Sequence, residues 1–554
     1  MEKIWLNSYQ EGVRAEVDVR AYSSIIDVLH SSVKKFGPQP SFSNMGTTLT
    51  YTQTATYVNQ FTSYLQNILK LQKGERVAIM MPNVLQYPIT VFGVLQAGGV
   101  VVNVNPLYTP RELAHQLIDS GATAIIVLEN FAHTVAEVLA QTAVKQVIVA
   151  SMGEMLGWLK GSVVNFMLRK VKKMVKPFHL PQSITFAQAL ALGKKQRFTP
   201  VPLELEDLAL LQYTGGTTGV SKGAMLTHGN IVANMQQASE WIKANLTPGE
   251  EVVVTPLPLY HIFSLTVNIM IFANTGSKNI LITNPRDINA LVKVLKKNRV
   301  TVMSGVNTLF NALIHNEEFK TIDFASWKLV LGGGMATQKV VAQEWKAITG
   351  VPIIDAYGLT EASPGVCANP LNNPEYTGTA GLPVSNTDIE IRDDNGKVLG
   401  IGEVGELWVQ GPQVMKGYWN RPEETAKVLD SRGFVATGDM AEIDAKGYVR
   451  LVDRKKDMIL VSGFNVYPNE VEEIVAAMPE VLEVACIGIP NEKSGEAIKL
   501  FVVKRDPNLT REQIIAYCRQ NLTGYKVPKD IEFCPELPKS AVGKILRKDL
   551  RTSN

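Results

Sequence analysis

The stretch from Tyr213 to Gly223 reads Tyr-Thr-Gly-Gly-Thr-Thr-Gly-Val-Ser-Lys-Gly and holds four glycines, three threonines and one lysine. This composition suits phosphate. Glycines let successive N–H groups converge on an anion, hydroxyls add donors or a metal ligand, and Lys222 supplies positive charge. The ordinary phosphate loop of nucleotide hydrolases does not fit. It needs a glycine five positions after the first and then Lys-Ser/Thr, whereas Val220 stands five beyond Gly215 and Gly223 follows Lys222. A second glycine cluster, Gly332, Gly333 and Gly334, fails the dinucleotide fingerprint because Thr337 stands where the third glycine belongs.

Other segments with chemical potential follow in order: Leu257–Phe263 with His261, Gly332–Met335, Ala356–Glu361, Thr437–Asp439, Asp453–Lys456 and Pro538–Lys544. Each has a plain alternative when taken alone. Asp439 after a glycine suits a turn, Tyr357 a core aromatic, Glu361 a helix start, and His261 a hydrogen-bonded core histidine. Their joint appearance in this order is what carries weight.

In that order the segments resemble the adenylate-forming superfamily of acyl-CoA synthetases, aryl-CoA ligases, peptide-synthetase adenylation domains and luciferases, over nearly the full chain. Within it, residues 433–468 are similar to the signature of the bacterial long-chain fatty-acid–CoA ligases. One departure is Phe434-Val435-Ala436, where that signature usually carries tryptophan and often histidine. Ring bulk is kept at Phe434, so altered packing is expected there rather than lost function.

The resemblance implies two half-reactions. A fatty carboxylate attacks the α-phosphorus of ATP to give an acyl-adenylate and pyrophosphate, and the thiol of coenzyme A then displaces AMP. It implies Lys544 as the cation bridging carboxylate and α-phosphate, with Glu361 and Thr214 as Mg²⁺ partners. By the same likeness Tyr213, Thr214, Gly215, Gly216, Thr217, Thr218, Gly219 and Lys222 line the phosphates. Gly332, Gly333, Gly334, Tyr357 and Gly358 approach adenine, Thr360 contacts phosphate, and Asp439 and Arg454 hold the ribose. His261 is implied as a gate beside the acyl pocket. Lys456 is implied as the pivot that carries Lys544 away and brings Gly463 and Phe464 toward the pantetheine arm. A related ligase that loads a carrier protein, and a non-catalytic nucleotide- or lipid-binding relative, are the alternatives.

The elements that must position these residues follow from periodicity. Short apolar runs at Arg76 to Met81, Val100 to Val104 and Ala124 to Leu128 alternate with helical segments at Val84 to Ala97 and Pro110 to Ser120, the rhythm of parallel α/β structure. The pattern resumes at Asn279 to Thr283, Val300 to Ser304 and Lys328 to Leu331. Close-spaced short strands and glycine turns from Gly381 to Arg450 suggest a β-rich lobe. An α/β fold is therefore expected: a large N-terminal domain over 1–452 with α/β lobes and a β-rich lobe, a hinge at 453–457, and a small mobile α/β lid over 458–554. Segments Ile262 to Ala273 and Val302 to Leu313 are expected tunnel walls, although a core helix or strand reads the same way.

With 554 residues, at least two domains are expected. The four cysteines show no CxxC pair and no metal-ligand spacing, which fits a reducing cytoplasm. The first residues lack the apolar core of a secretory signal, and no apolar run is long enough to span a bilayer. A net charge of +3 gives no general affinity for nucleic acid. From Met155 to Leu180, six basic residues and no acidic one are interleaved with apolar side chains. Residues 158–176 therefore read either as an interfacial helix on an anionic membrane surface or as an inserted helix with a solvated basic face. A homodimer is compatible with the chain.

Overall fold

Capping chemistry legible in the sequence organises the first α/β layer. Thr109 and Glu112 close a reciprocal capping box on the helix Pro110–Ser120, Pro110 occupies the first turn, and Gly121 caps the far end. Strands Arg76–Met80, Val100–Asn103 and Ala124–Leu128 pair in parallel around it. All five residues of Ala124–Leu128 are buried, as expected for a parallel strand covered on both faces. The helix Gln86–Gln96 is buried along its whole length. It packs against the strands Arg76–Met80 and Val100–Asn103 and contributes Ile89, Phe92 and Leu95 to the largest apolar core.

The computed structural model describes residues 2–214, 221–491, 494–541 and 543–552. Among these, four sheets carry the fold. The first runs from Ile184–Thr185 through Arg76–Met80 to Leu208–Thr214 and Lys222–Thr227. Its last two strands are antiparallel and place Thr214 opposite Lys222. The second sheet has nine strands and includes Val302–Gly305, Leu329–Gly332 and Ile353–Gly358, parallel to one another. The third is antiparallel and four-stranded, from Asp388–Arg392 to Val449–Arg454. These three build the large N-terminal domain.

The small C-terminal domain is built on the long antiparallel pair Val481–Asn491 and Gly495–Lys504, with the helices Pro468–Ala476 and Arg511–Asn521 packed against it. It has its own apolar core of Val471, Cys486, Leu500, Ile514 and neighbours. A turn at 454–458 joins the two domains, closed by N–H bonds from Asp457 and Met458 to the Arg454 carbonyl.

Two expectations are refined. The Ile262 to Ala273 segment is helical but wide-turned, with π geometry over Leu265–Ile271 between single α turns. Residues 158–171 are also helical, ending in a π segment at Met167–Val171. Val164 and Leu168 pack inward while Trp158, Leu159, Val163 and Phe166 face out, Trp158 being 82% exposed. The outward face is thus apolar and not merely basic.

Candidate functional site

Cross-strand register builds the centre of the site. Asp439 and Arg454 are direct partners on Val435–Ile443 and Val449–Arg454, and Arg454 Nε lies 2.6 Å from Asp439 Oδ1. Tyr357, on the neighbouring domain-wide sheet, donates its hydroxyl to Asp439 Oδ2 at 2.5 Å. Burial, then Asp439 beside it, push the Tyr357 phenol well above its ordinary range. Arg454 moves up as well, since the pull of Asp439, Tyr357 and Glu361 outweighs the cost of its burial. The three form one cluster, Asp439 being held by an ion pair and a hydrogen bond.

Around it stand the backbone elements. Gly332 ends the strand Leu329–Gly332, and a Cβ there would meet Asp355 Oδ1 at 2.6 Å and Ile353 at 2.8 Å, so only glycine lets the chain pass this close. Gly333 packs beneath the Phe263 ring and Gly334 turns left-handed. Gly358 pairs with Gly365, and Thr360 and Glu361 form a single 3₁₀ turn after it. Glu361 is held twice: its carbonyl accepts from Met415 N at 2.8 Å, and its Oε1 accepts from the Tyr418 hydroxyl at 2.7 Å.

Beside the glycine loop, Ser221 Oγ donates to the Thr214 carbonyl at 2.6 Å, closing the strand ends that flank it. Lys222 Nζ lies 2.8 Å from Glu424 Oε2 and 4.8 Å from the Tyr418 ring centre. Gly215, Gly216, Thr217, Thr218 and Gly219 lie outside the described residues. Tyr213, expected among the residues lining the phosphates, turns its side chain to the core. Its ring is buried in the core beneath Gly223, and its hydroxyl donates to Asp119 Oδ2 at 2.7 Å. Strand alternation explains this, because Thr214 and Tyr213 must point to opposite faces.

The small domain brings the loop that carries Lys544 against the large domain. Thr308 Oγ1, on the large-domain helix Asn307–Ile314, donates to the Gly543 carbonyl at 3.1 Å, and Gly543 adopts φ 82° against that hydroxyl. Lys544 follows, with its backbone locked to Ser540 by reciprocal bonds. Burial, followed by the nearby Arg454 cation, lowers the Lys544 ammonium to about 8, with Asp439 opposing the shift. Burial and then Lys544 lower the His261 imidazole to about 4, so His261 is neutral near pH 7. Lys544, His261, Asp439 and Arg454 therefore share one electrostatic neighbourhood. Lys456 sits exposed in the interdomain turn. Gly463 and Phe464 lie at an exposed hairpin tip, where Phe464 stacks on Tyr525 at 4.8 Å between ring centres.

Four functional-looking residues were not singled out from sequence: Asp355, Tyr418, Glu424 and Arg547. Asp355 accepts a hydrogen bond from Thr337 Oγ1, and burial raises its carboxyl to about 6. Period-2 spacing from Tyr357 was the available signal for it. The Phe434 ring, where the signature departs, lies between the guanidinium groups of Arg392 and Arg432 at 5.0 and 4.9 Å.

No group of three or more His, Cys, Asp or Glu among the described residues could hold a metal by itself. Glu361 and Thr214 offer hard oxygens that fit Mg²⁺ sharing its remaining positions with phosphate and water.

With this geometry established, comparison with known proteins is direct. The family model described as "AMP-binding enzyme" matches residues 29–419, and its C-terminal domain model matches 470–544. The chain belongs to the AMP-binding enzyme family. Among its members, a "Long-chain-fatty-acid--CoA ligase" of Yersinia pestis is 54% identical over 100% of this chain and 98% of its own length. A protein of the same description from Haemophilus influenzae is 53% identical with the same coverage. The crystal structure of ATP-bound MatB from Rhodopseudomonas palustris superposes with TM-score 0.81 at 26% identity, covering 95% of this chain and 98% of that one.

Proposed function

We propose that this AMP-binding enzyme is an ATP-dependent, AMP-forming long-chain fatty-acid–CoA ligase. The single observation that carries the reading is the Lys544 loop, brought by the small domain to the Asp439–Arg454–Tyr357 cluster and to His261. The full-length likeness to long-chain fatty-acid–CoA ligases supplies the substrate class.

In the first half-reaction a fatty carboxylate and a triphosphate must meet, two anions whose repulsion has to be offset by charge already in place. Lys544 bridges them, and Lys222 faces the phosphates together with the hydroxyls of Thr214, Thr217, Thr218 and Thr360. Asp439 and Arg454 take the ribose hydroxyls, and Tyr357 with Gly332, Gly333, Gly334 and Gly358 frames adenine. Glu361 and Thr214 would hold Mg²⁺, which when bound would supply positive charge beside the phosphate oxygens. The neutral His261 stands at the mouth of the acyl pocket without adding a second cation. For the second half-reaction the domain spanning 458–554 turns about 453–457 at Lys456, withdrawing Lys544 and presenting Gly463 and Phe464 to the pantetheine arm.

The test is purified protein with palmitate, ATP, Mg²⁺ and either CoA or an acyl carrier protein. Palmitoyl-CoA with stoichiometric AMP and pyrophosphate is the expected result. A carrier-bound acyl group, or no AMP at all, would replace this reading.

The reading extends to location. Trp158, Leu159, Val163 and Phe166 form an exposed apolar face, with exposed Lys170, Lys172, Lys173 and Lys176 beside it. Arg169 pins the segment to buried Glu129 at 2.7 Å, and Asn130 Nδ2 donates to the Met174 carbonyl at 3.2 Å. A fixed apolar face rimmed by lysines suits an anionic lipid surface, each cation contributing about 1 kcal/mol. Changing Trp158 and Phe166 to serine together should abolish sedimentation with phosphatidylglycerol vesicles and leave turnover of dispersed palmitate intact. Undiminished sedimentation would remove this part.

A further inference from the structure

Arg547 lies three residues beyond Lys544 and takes part in no contact with the nucleotide cluster described above. Its guanidinium is nevertheless fully committed. Nη1 lies 3.1 Å from Asp453 Oδ1 and 3.6 Å from Asp457 Oδ2. Nη2 donates to Asn469 Oδ1 at 2.6 Å and to Glu472 Oε2 at 2.8 Å, and Nε donates to Glu472 Oε1 at 3.1 Å. Side-chain exposure is 14% for Arg547 and 1% for Asp453, so the pair is shielded from solvent.

The partners lie on both sides of the interdomain turn. Asp453 belongs to the strand Val449–Arg454, whose next residue is the Arg454 that pairs with Asp439. Glu472 and Asn469 lie on the helix Pro468–Ala476 of the small domain, and Glu472 is itself fixed by Cys486 N at 2.7 Å. The other Asp453 oxygen accepts from Asn469 N at 2.8 Å, so one carboxylate on the large-domain side of Lys456 holds both the start of that helix and the arginine behind the Lys544 loop. Arg551, one turn further along the same short helix, reaches Asp457 Oδ1 at 3.0 Å.

We infer that Arg547 is a positioning residue that clamps the Lys544 loop to Asp453 and thereby holds the adenylate-forming arrangement. The clamp spans the turn about which the small domain moves, so rotation must open the Arg547–Asp453 contact while the Arg547–Glu472 contact travels with the lid. Its loss should therefore affect the two half-reactions unequally. A residue that only stabilised the small domain would affect both alike. The inference rests on the two-step reaction proposed above.

The experiment compares wild type, Arg547→Gln and Arg547→Lys in two assays: palmitate-dependent exchange of labelled pyrophosphate into ATP, and thioester formation from supplied palmitoyl-adenylate and CoA. Arg547→Gln should lower the exchange kcat by about 10- to 100-fold, the range for losing charged hydrogen bonds, with the ATP KM and the thioester rate little changed. Arg547→Lys should recover part of the exchange, and trypsin should cut at Arg454 to Lys456 faster in Arg547→Gln than in wild type. Equal loss in both assays, or no loss in exchange, overturns the inference. Should Arg547→Gln fail to fold, Arg547→Lys decides alone: selective loss of exchange supports the clamp, and unchanged or equally lowered rates overturn it. Absence of exchange in wild type would instead sink the two-step reading itself.

Discussion

Asp439 is shared between Arg454, 2.6 Å away on the neighbouring strand, and the hydroxyl of Tyr357, 2.5 Å away on another sheet. One carboxylate thus ties the antiparallel β lobe to the parallel sheet, with a lone-pair set still available for a diol. Asp439→Asn keeps the shape and removes the charge. The expected outcome is a rise in the ATP KM of about 10- to 100-fold, the range for charged hydrogen bonds to a ligand. Pyrophosphate exchange at varied ATP measures it, and an unchanged KM would remove Asp439 from the ribose site.

Lys544 carries a pH prediction whose sign follows from its depressed value. With the folded group at about 8 against an ordinary 10.5, the cation proposed to serve adenylation is lost in the free enzyme as pH rises through 8. The kcat/KM for exchange should fall on the alkaline side with an apparent pKa near 8. Between these two values the unfolded chain binds the extra proton, so stability should rise with pH there while activity declines. Arg stays charged throughout, and Lys544→Arg should therefore lose most activity yet show no alkaline limb near 8. A limb unchanged in Lys544→Arg would assign it to another group.

Much of this arrangement was legible before any coordinates. The helical segment Pro110 to Ser120 and apolar runs such as Ala124–Leu128 already pointed to parallel α/β structure, and both elements form. Asp439 and Arg454 could be named from their motifs, but their pairing depends on a register containing a bulge between Met440 and Ala441, which no local pattern encodes. Arg547 and Asp453 are 94 residues apart, and their meeting is a property of how two domains dock. Sequence spacing carries nothing of it.

Lys222 is held by Glu424 at 2.8 Å, and Glu424 also pairs with Lys427 at 2.5 Å. In the proposed reaction, triphosphate draws Lys222 away from this partner. The lysines and burial do not act equally here: the hydrogen bond from Lys222 is the foremost cause of the Glu424 carboxyl falling to about 2. Glu424 is solvent-facing, where such pairs are weak. Glu424→Gln should therefore lower the ATP KM modestly, by about two- to three-fold, with kcat unchanged. A raised KM would show that Glu424 orients the lysine toward phosphate instead of competing for it.

His228 and His261 provide a test of the fold under acid. Burial lowers His228 from 6.5 to about 4, with Asp207 opposing and Lys73 adding to the shift, and its Nδ1 accepts from Ile25 N at 3.3 Å. His261 is lowered to the same value. Between 6.5 and 4 the unfolded chain binds more protons than the folded one, so stability falls as pH drops through this window and the full penalty is present below 4. Moving from pH 6.5 to 5 should destabilise the large domain by about 1.5 kcal/mol for each histidine. Asn at 228 keeps an acceptor for Ile25 N but has no proton to gain. His228→Asn should therefore halve the slope that these two residues impose on urea midpoints measured from pH 6.5 to 5. An unaltered slope would mean that His228 is not buried neutral against Ile25.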